Sequence, residues 1–301
     1  MVCAIPRSGH LGFVGDYTGA VLTRYSRVRN WTFDETSMPQ ERVYSGTRFG
    51  VQRIPCYKQS SGSFSGFGVS PPLFAGDVFT FFGYTAPTNG VACTPGCAYH
   101  VLSIVDSVTL NWNWTAEGCS LDWSIAFSGI AAPTVLAAFD DPCDDAPFCD
   151  MSPCTATLLL YNPCAAMAAV EFCNITTAAL TFTAKNIAFS NSSSSCFVQK
   201  TVGNLDWTLA VVDQNPCIIP TLNLDYRIKL QATAAPAYWI LDYGIFTGVN
   251  NLNVNIETGE MVSKTNNWMM QGVLCCTVDT PVRGSIISPA GVTVWPFSTP
   301  S

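Results

Sequence analysis

Fourteen cysteines and two histidines are the side chains of this 301-residue sequence with most capacity for chemistry, and neither set is spaced to use it. His10 and His100 are too few for a Cys/His zinc site or for a base paired with a nucleophile, and packing at a surface or interface is the role they fit. No Cys-x-x-Cys occurs and Cys275 and Cys276 are adjacent, so zinc-ligand spacing is missing. Cys143, Cys149, Cys154 and Cys164 lie close enough to staple one segment, and Cys93 and Cys97 to close a small loop, with the pairing not fixed by spacing. Asp140, Asp141, Asp144, Asp145 and Asp150 supply carboxylates of the kind calcium prefers. Prolines interrupt them and no regular calcium loop results, so they read as a solvated acidic turn. Asn30-Trp-Thr, Asn113-Trp-Thr, Asn174-Ile-Thr and Asn191-Ser-Ser match the glycosylation acceptor pattern, and read as chance in a chain without a secretory signal. Gly76-Asp77 and Gly118 are turn residues with no following helix, so neither is a phosphate cradle. With no triad or carboxylate pair, the expectation is no catalytic residue, no metal, no cofactor and no enzyme.

The elements that would position any site are strands. In Leu110-Asn111-Trp112-Asn113-Trp114 the apolar residues fall at every second position. After a turn around Glu117-Gly118 the pattern resumes with Leu121, Trp123, Ile125 and Phe127. A period of two marks a strand with one buried and one polar face, and the short Gly-containing turn makes the pair a hairpin. A similar pair follows later: Leu252-Asn253-Val254-Asn255-Ile256, a turn around Thr258-Gly259, then Asn267 to Gly272. Upstream, Ser61-Gly62-Ser63-Phe64-Ser65-Gly66 aligns with Asn204 to Leu209, setting Phe64 against Trp207. Asp77 to Phe81 answers to Asp225 to Lys229, Asn30-Trp31-Thr32 to Asn174-Ile175-Thr176, and Val43-Tyr44-Ser45 to Ala188-Phe189-Ser190. Collinear order at a nearly constant offset predicts a tandem duplication of one β-domain.

The expected fold class is therefore all-β, two tandem sandwiches or part-barrels with little helix. The boundaries read as an N-terminal arm (1–24), a first domain (25–137), a Cys/Asp/Pro-rich linker (138–164), a second domain (165–280) and a C-terminal arm (281–301). Ala165 to Glu171 is the one stretch that suggests two helical turns. The arm's Val292, Val294, Trp295 and Phe297 suit docking on a neighbour.

Composition points the same way. Only 12% of residues are charged and 48% are hydrophobic, which suits a surface largely covered by copies of itself. The net charge is −7, and five of the excess acids are the connector aspartates, so there is no basic nucleic-acid footprint. No apolar run approaches eighteen residues, which excludes a transmembrane helix, and no signal peptide is evident, so synthesis and assembly in the cytoplasm are expected.

Ser61-Gly62-Ser63-Phe64-Ser65-Gly66 after Val51-Gln52-Arg53-Ile54-Pro55, then Leu73-Phe74-Ala75-Gly76-Asp77, resembles the major tail tube proteins of long-tailed bacteriophages. So does the hairpin from Val105-Asp106-Ser107-Val108 to Phe127-Ser128-Gly129. The likeness covers most of residues 28–130 and, more faintly, 172–275, where Asn204-Leu205-Asp206-Trp207 replaces the Gly/Ser strand. The resemblance implies stacked rings of six tube domains around a lumen through which DNA passes without specific binding. Two domains per chain then imply a homotrimer forming a pseudo-hexamer, in a virion tail assembled in the host cytoplasm. Implied partners are the chain itself and other tail proteins: tape measure, terminator and distal tail proteins. The stretch Asp34 to Gln40, with Asp34, Glu35, Met38 and Gln40, reads as a loop contacting the next ring, as does Ala178 to Lys185. Two other readings stay open: a different non-enzymatic virion component such as a capsid decoration or fibre protein, or a hexameric tube protein whose second domain decorates the surface.

Overall fold

A computed structural model of the chain describes residues 3–4, 12–19, 21–25, 27–42, 52–68, 71–85, 96–115, 118–139, 148–149, 158–161, 170–172, 174–189, 199–214, 220–222, 225–231, 238–255, 257, 260–270, 286–287 and 293–295. All regular structure among them is β-strand, so the chain is all-β as its alternation predicts. After β1 (Cys3–Ala4) come β2 (Gly12–Thr18), β3 (Val21–Arg24), β4 (Val28–Arg42), β5 (Gln52–Phe67), β6 (Val78–Thr85), β7 (Gly96–Thr115), β8 (Gly118–Gly129) and β9 (Thr134–Phe139). Then follow β10 (Phe148–Cys149), β11 (Leu158–Tyr161), β12 (Val170–Phe172), β13 (Ile175–Phe189), β14 (Gln199–Asp213), β15 (Asp225–Gln231), β16 (Tyr238–Asn255), β17 (Glu260–Met270), β18 (Ile286–Ile287) and β19 (Thr293–Trp295).

Pairing follows one plan, used twice. In the first half β2 pairs with β3 and β6, β4 with β5, β5 with β8, and β7 with β6, β8 and β9. In the second half β11 pairs with β12 and β15, β13 with β14, β14 with β17, and β16 with β15, β17 and β18. Counted from its first strand, each half has these seven antiparallel ladders between the same ordinal strands, and the second half adds β18 to β19. One further ladder, β7 to β13, fuses the halves into a single 17-stranded sheet.

Each half folds over on itself because its strands carry one apolar face. In β14, Leu205, Trp207, Leu209 and Val211 are buried while Asp206, Thr208 and Ala210 are not. In the first half β4, β5 and β8 cover β6, which none of them pairs with. Phe81 of β6 stacks 6.0 Å from Phe33 of β4 and meets Phe127 of β8 at 4.5 Å. The 20-residue β7 pairs with β6 and β9 through its first part and with β8 through its second, so it belongs to both layers. The buried cluster runs without a break from Val14 to Trp268, across both halves.

The Gly/Ser strand has a steric cause. A Cβ on Gly62 would lie 2.4 Å from the Phe127 ring, and one on Gly66 would lie 2.5 Å from the Trp123 ring. These glycines are the floor on which the two rings rest. In β14 Leu209 stands opposite Trp268 as Gly66 stands opposite Trp123, and the large ring, Trp207, lies instead over Gly244 of β16.

Several sequence expectations shift. Residues 12–24, expected as an arm, supply β2 and β3, which extend the first sheet through β6. The second half begins at β11, inside the expected linker. Val170 and Glu171 are in β12 rather than a helix. Asp34 to Gln40 and Ala178 to Lys185 are not loops: they lie within β4 and β13, paired to β5 and β14. In the C-terminal arm, β18 and β19 return to the chain's own β16. The register also revises the internal match. Phe64 lies two residues before Gly66, the partner of Trp123, and Trp207 two residues before Leu209, the partner of Trp268. The partner of Trp123 is Leu110, however, while that of Trp268 is Phe246, so Phe246 takes the place expected for Leu252. Leu252 and Val254 are 59% and 52% exposed, whereas Leu110 and Trp112 are buried. Likewise Phe182, not Ile175, stands opposite Trp207 as Trp31 stands opposite Phe64. The buried Phe79 and Phe81 set against buried Tyr226 and Ile228 put the Asp77/Asp225 match one residue out of phase.

Candidate functional site

The site that the two halves build together is the β7–β13 joint. Seven consecutive residue pairs join Ser107–Asn113 to Thr177–Thr183, antiparallel and without a bulge. On the inner face Val108, Leu110 and Trp112 meet Phe182, Leu180 and Ala178, all buried. On the outer face Thr109 Oγ1 lies 3.3 Å from Thr181 Oγ1, between Asn111, Asn113, Thr177 and Thr183. The joint thus repeats the logic of a strand pair within one sheet, with cross-strand side-chain pairs supplying the stabilisation.

The Gly76-Asp77 turn prepares this surface. Phe74 N–H donates to Asp77 Oδ2 at 2.6 Å, Gly76 N–H to the Val105 carbonyl at 2.9 Å, and Val105 N–H to the Asp77 carbonyl at 2.9 Å. These bonds finish the β6 edge of β7 at Val105, two residues before β13 takes over at Ser107. They also hold Phe74 with its ring 5.2 Å from Phe182 of the second half. Burial pushes the Asp77 carboxyl above its ordinary range, against the lowering effect of the Phe74 N–H. Burial likewise raises the nearby Tyr25 hydroxyl, with the charges of Asp16 and Asp77 adding to it.

A polar clamp closes one end of the joint. Ser128 donates its hydroxyl to Asp106 Oδ2. Asn186 Nδ2 donates to Asp106 Oδ1 at 2.9 Å and to the Val105 carbonyl at 3.3 Å. Lys200 Nζ lies 3.3 Å from Asp106 Oδ1 and donates to Ser128 Oγ at 2.6 Å. Asp106 and Ser128 belong to the first half, Asn186 and Lys200 to the second. A serine hydroxyl this close to an amine is also the geometry of an activated nucleophile, which requires a neutral lysine. Here the amine faces the Asp106 carboxylate and the buried Ser128 hydroxyl already donates to that carboxylate, so the four groups act as a clamp.

A second buried polar group stands in the second half. Lys264 Nζ lies 2.7 Å from Asp213 Oδ1, both side chains fully buried, and Asn266 Nδ2 donates to Asp213 Oδ2. Among the described residues no group of three His, Cys, Asp or Glu side chains is placed to hold a metal ion.

Of the residues singled out in the sequence, Asp34 and Glu35 are exposed on β4, and Met38 and Gln40 are in the same strand. Glu35 lies 3.6 Å from Lys58 of β5. Cys143, Cys154 and Cys164 lie outside the described residues, and Cys149 is in β10 with Cys3 as its register partner. Cys97 is a free, exposed thiol, and Cys93, its expected partner, is outside the described residues, as is His10. His100 sits in β7 with its ring 5.6 Å from Tyr17.

The sequence matches no protein-family model and no curated protein. The joint and its clamp escaped the sequence reading. A lysine in a chain with 14 basic residues is the one local signal that Lys200 carried.

Proposed function

We propose that this chain is a structural, non-enzymatic protein that assembles with itself edge to edge, as the subunit of a phage-type tail tube. The observation that carries the reading is the repeated pairing plan: two halves built on one scheme, already joined through β7 and β13. This supports a tandem duplication of a sandwich domain, with the register revised as above. Three chains would then present six such halves in a ring, and stacked rings would make a conduit for DNA. Such a protein resides in the virion tail, is assembled in the host cytoplasm, and meets tape measure, terminator and distal tail proteins at its ends. The low charge and net acidity suit a lumen past which phosphates slide without being held.

The resemblance in Ser61–Gly66 and Leu73–Asp77 adds to this reading, because both motifs serve the first half's core and joint. Asp34, Glu35, Met38 and Gln40 remain candidates for contacts between rings, now as part of a two-stranded ribbon. Beyond Ser61, β5 has β4 as its partner but not β8, and an isolated two-stranded ribbon is marginal in water. Negative-stain microscopy of the purified protein, with native mass spectrometry of any ring, tests the proposal. Hollow tubes built of three-chain rings are expected; a protein that stays monomeric at high concentration refutes it.

A further inference from the structure

The internal joint uses the third strand of one half (β13) and the sixth strand of the other (β7). Each half has both strands, so among the described residues one edge of each kind is left without a partner strand. Among the described residues β4, the third strand of the first half, pairs with β5 and has no strand on its other edge. On β16, the sixth strand of the second half, β15 covers one edge as far as Ile245, and beyond it, among the described residues, Phe246–Asn255 pairs with β17 alone. We infer that β4 of one chain pairs antiparallel with Phe246–Asn255 of a second copy, repeating between chains the joint that β13 and β7 make within one. The inference rests on the self-assembly reading above and names its surface and its polarity.

The chemistry of the open edges matches that of the closed joint. There the sixth strand offers Thr109, Asn111 and Asn113 on its outer face, and the third offers Thr177, Thr181 and Thr183. The open β16 segment offers Asn250, Asn251 and Asn253, exposed, and the open β4 offers Thr32 and Thr36, exposed. Leu252 and Val254 add exposed apolar surface to the β16 side that a neighbour would cover. Pro39 ends the usable part of β4, since proline gives no N–H to a ladder, leaving Val28–Met38. That is long enough for a seven-pair ladder like the one at the internal joint. The register differs from the internal one, because β15 runs further along β16 than β6 does along β7.

The two edges differ from each other, so the interface is head-to-tail and propagates into a closed ring or an open filament. That polarity gives the test. Thr32 and Glu35 lie at positions of opposite parity in β4, so one of their two N–H groups points away from β5. Thr32→Pro and Glu35→Pro are both made, and the one that keeps wild-type circular dichroism is the β4-blocked variant. Leu252 lies in the bulge between Asn250 and Asn253 with no register partner in β17, so Leu252→Pro blocks the β16 edge. Light scattering and native mass spectrometry are expected to show each blocked variant as a monomer. An equimolar mixture is expected to give a one-to-one heterodimer and nothing larger, since only one good edge of each kind is present. If the wild type forms rings or tubes and the blocked variants do so equally well, the edge assignment is wrong while self-assembly stands. If the wild type forms rings or filaments that both blocks abolish, but never stacked tubes, the edge assignment stands and the tube reading falls. A homodimer of either blocked variant overturns the head-to-tail polarity.

Discussion

Leu180→Ala measures directly whether the sheet runs through the β7–β13 joint. Leu180 and Leu110 are register partners, both fully buried, and the cluster around them spans both halves. Truncating a leucine in such a place removes its transfer free energy and leaves a cavity, at a cost of about 3 kcal/mol, within the roughly 3–5 seen for fully packed leucines. With a urea slope of about 3 kcal/mol per molar for a chain of this size, the midpoint falls by about 1 M. Tryptophan emission is the natural probe, because Trp112 and Trp123 lie buried in the first half and Trp207 and Trp268 in the second. Measured under dilute, monomeric conditions, wild type and variant are both expected to unfold in one transition. Val254→Ala, on a side chain 52% exposed, serves as the control and is expected to change stability by less than about 0.5 kcal/mol. A Leu180→Ala midpoint within about 0.2 M of wild type, or two separated wild-type transitions, would refute a shared core at the joint.

Gly66→Ala places a Cβ 2.5 Å from the Trp123 ring and 2.3 Å from the Arg27 carbonyl oxygen, so a loss of about 1–3 kcal/mol is expected in the same urea assay, and a neutral result contradicts the packing. Lys264→Met removes the ammonium facing the fully buried Asp213, whose carboxylate keeps its hydrogen bond from Asn266, and is expected to cost about 3–5 kcal/mol; adding Asp213→Leu should recover part of it, and a double variant no better than the single one would mean the pair is more than a compensated charge. Asp77 gives a pH test. Its folded pKa is raised, so its contribution to stability is complete below the unfolded carboxylate pKa and is lost as pH rises through the folded value. The stability of Asp77→Asn relative to wild type should therefore climb as pH rises from below the ordinary carboxylate range, and a flat or falling difference removes burial as the cause.

Legibility in the sequence followed the range of the interactions. Alternation over five to eight residues exposed β7, β8 and β14, because a half-buried strand writes its two faces at successive positions. Leu252 and Val254 misled because an exposed hairpin with asparagines between apolar residues writes the same period as a buried one. β2 was hidden because Phe13, Val14 and Gly15 are buried in succession, which erases the period. The joint left no local mark at all: Leu110 and Leu180 meet although 70 positions apart in sequence, and Lys200 finds Asp106 over a longer span still. Pairing at that distance is decided by which edges the rest of the fold leaves open.

Because β7 and β13 belong to one polypeptide, their joint forms at an effective concentration set by the connector and not by how much protein is present. Dilution leaves it intact, and the smallest particle in solution already contains two halves locked side by side. Any contact that β4 and β16 make with other chains depends on concentration in the ordinary way. An assembly built from such units therefore has joints of two kinetic kinds in strict alternation, one permanent and one reversible, and takes itself apart only into whole chains.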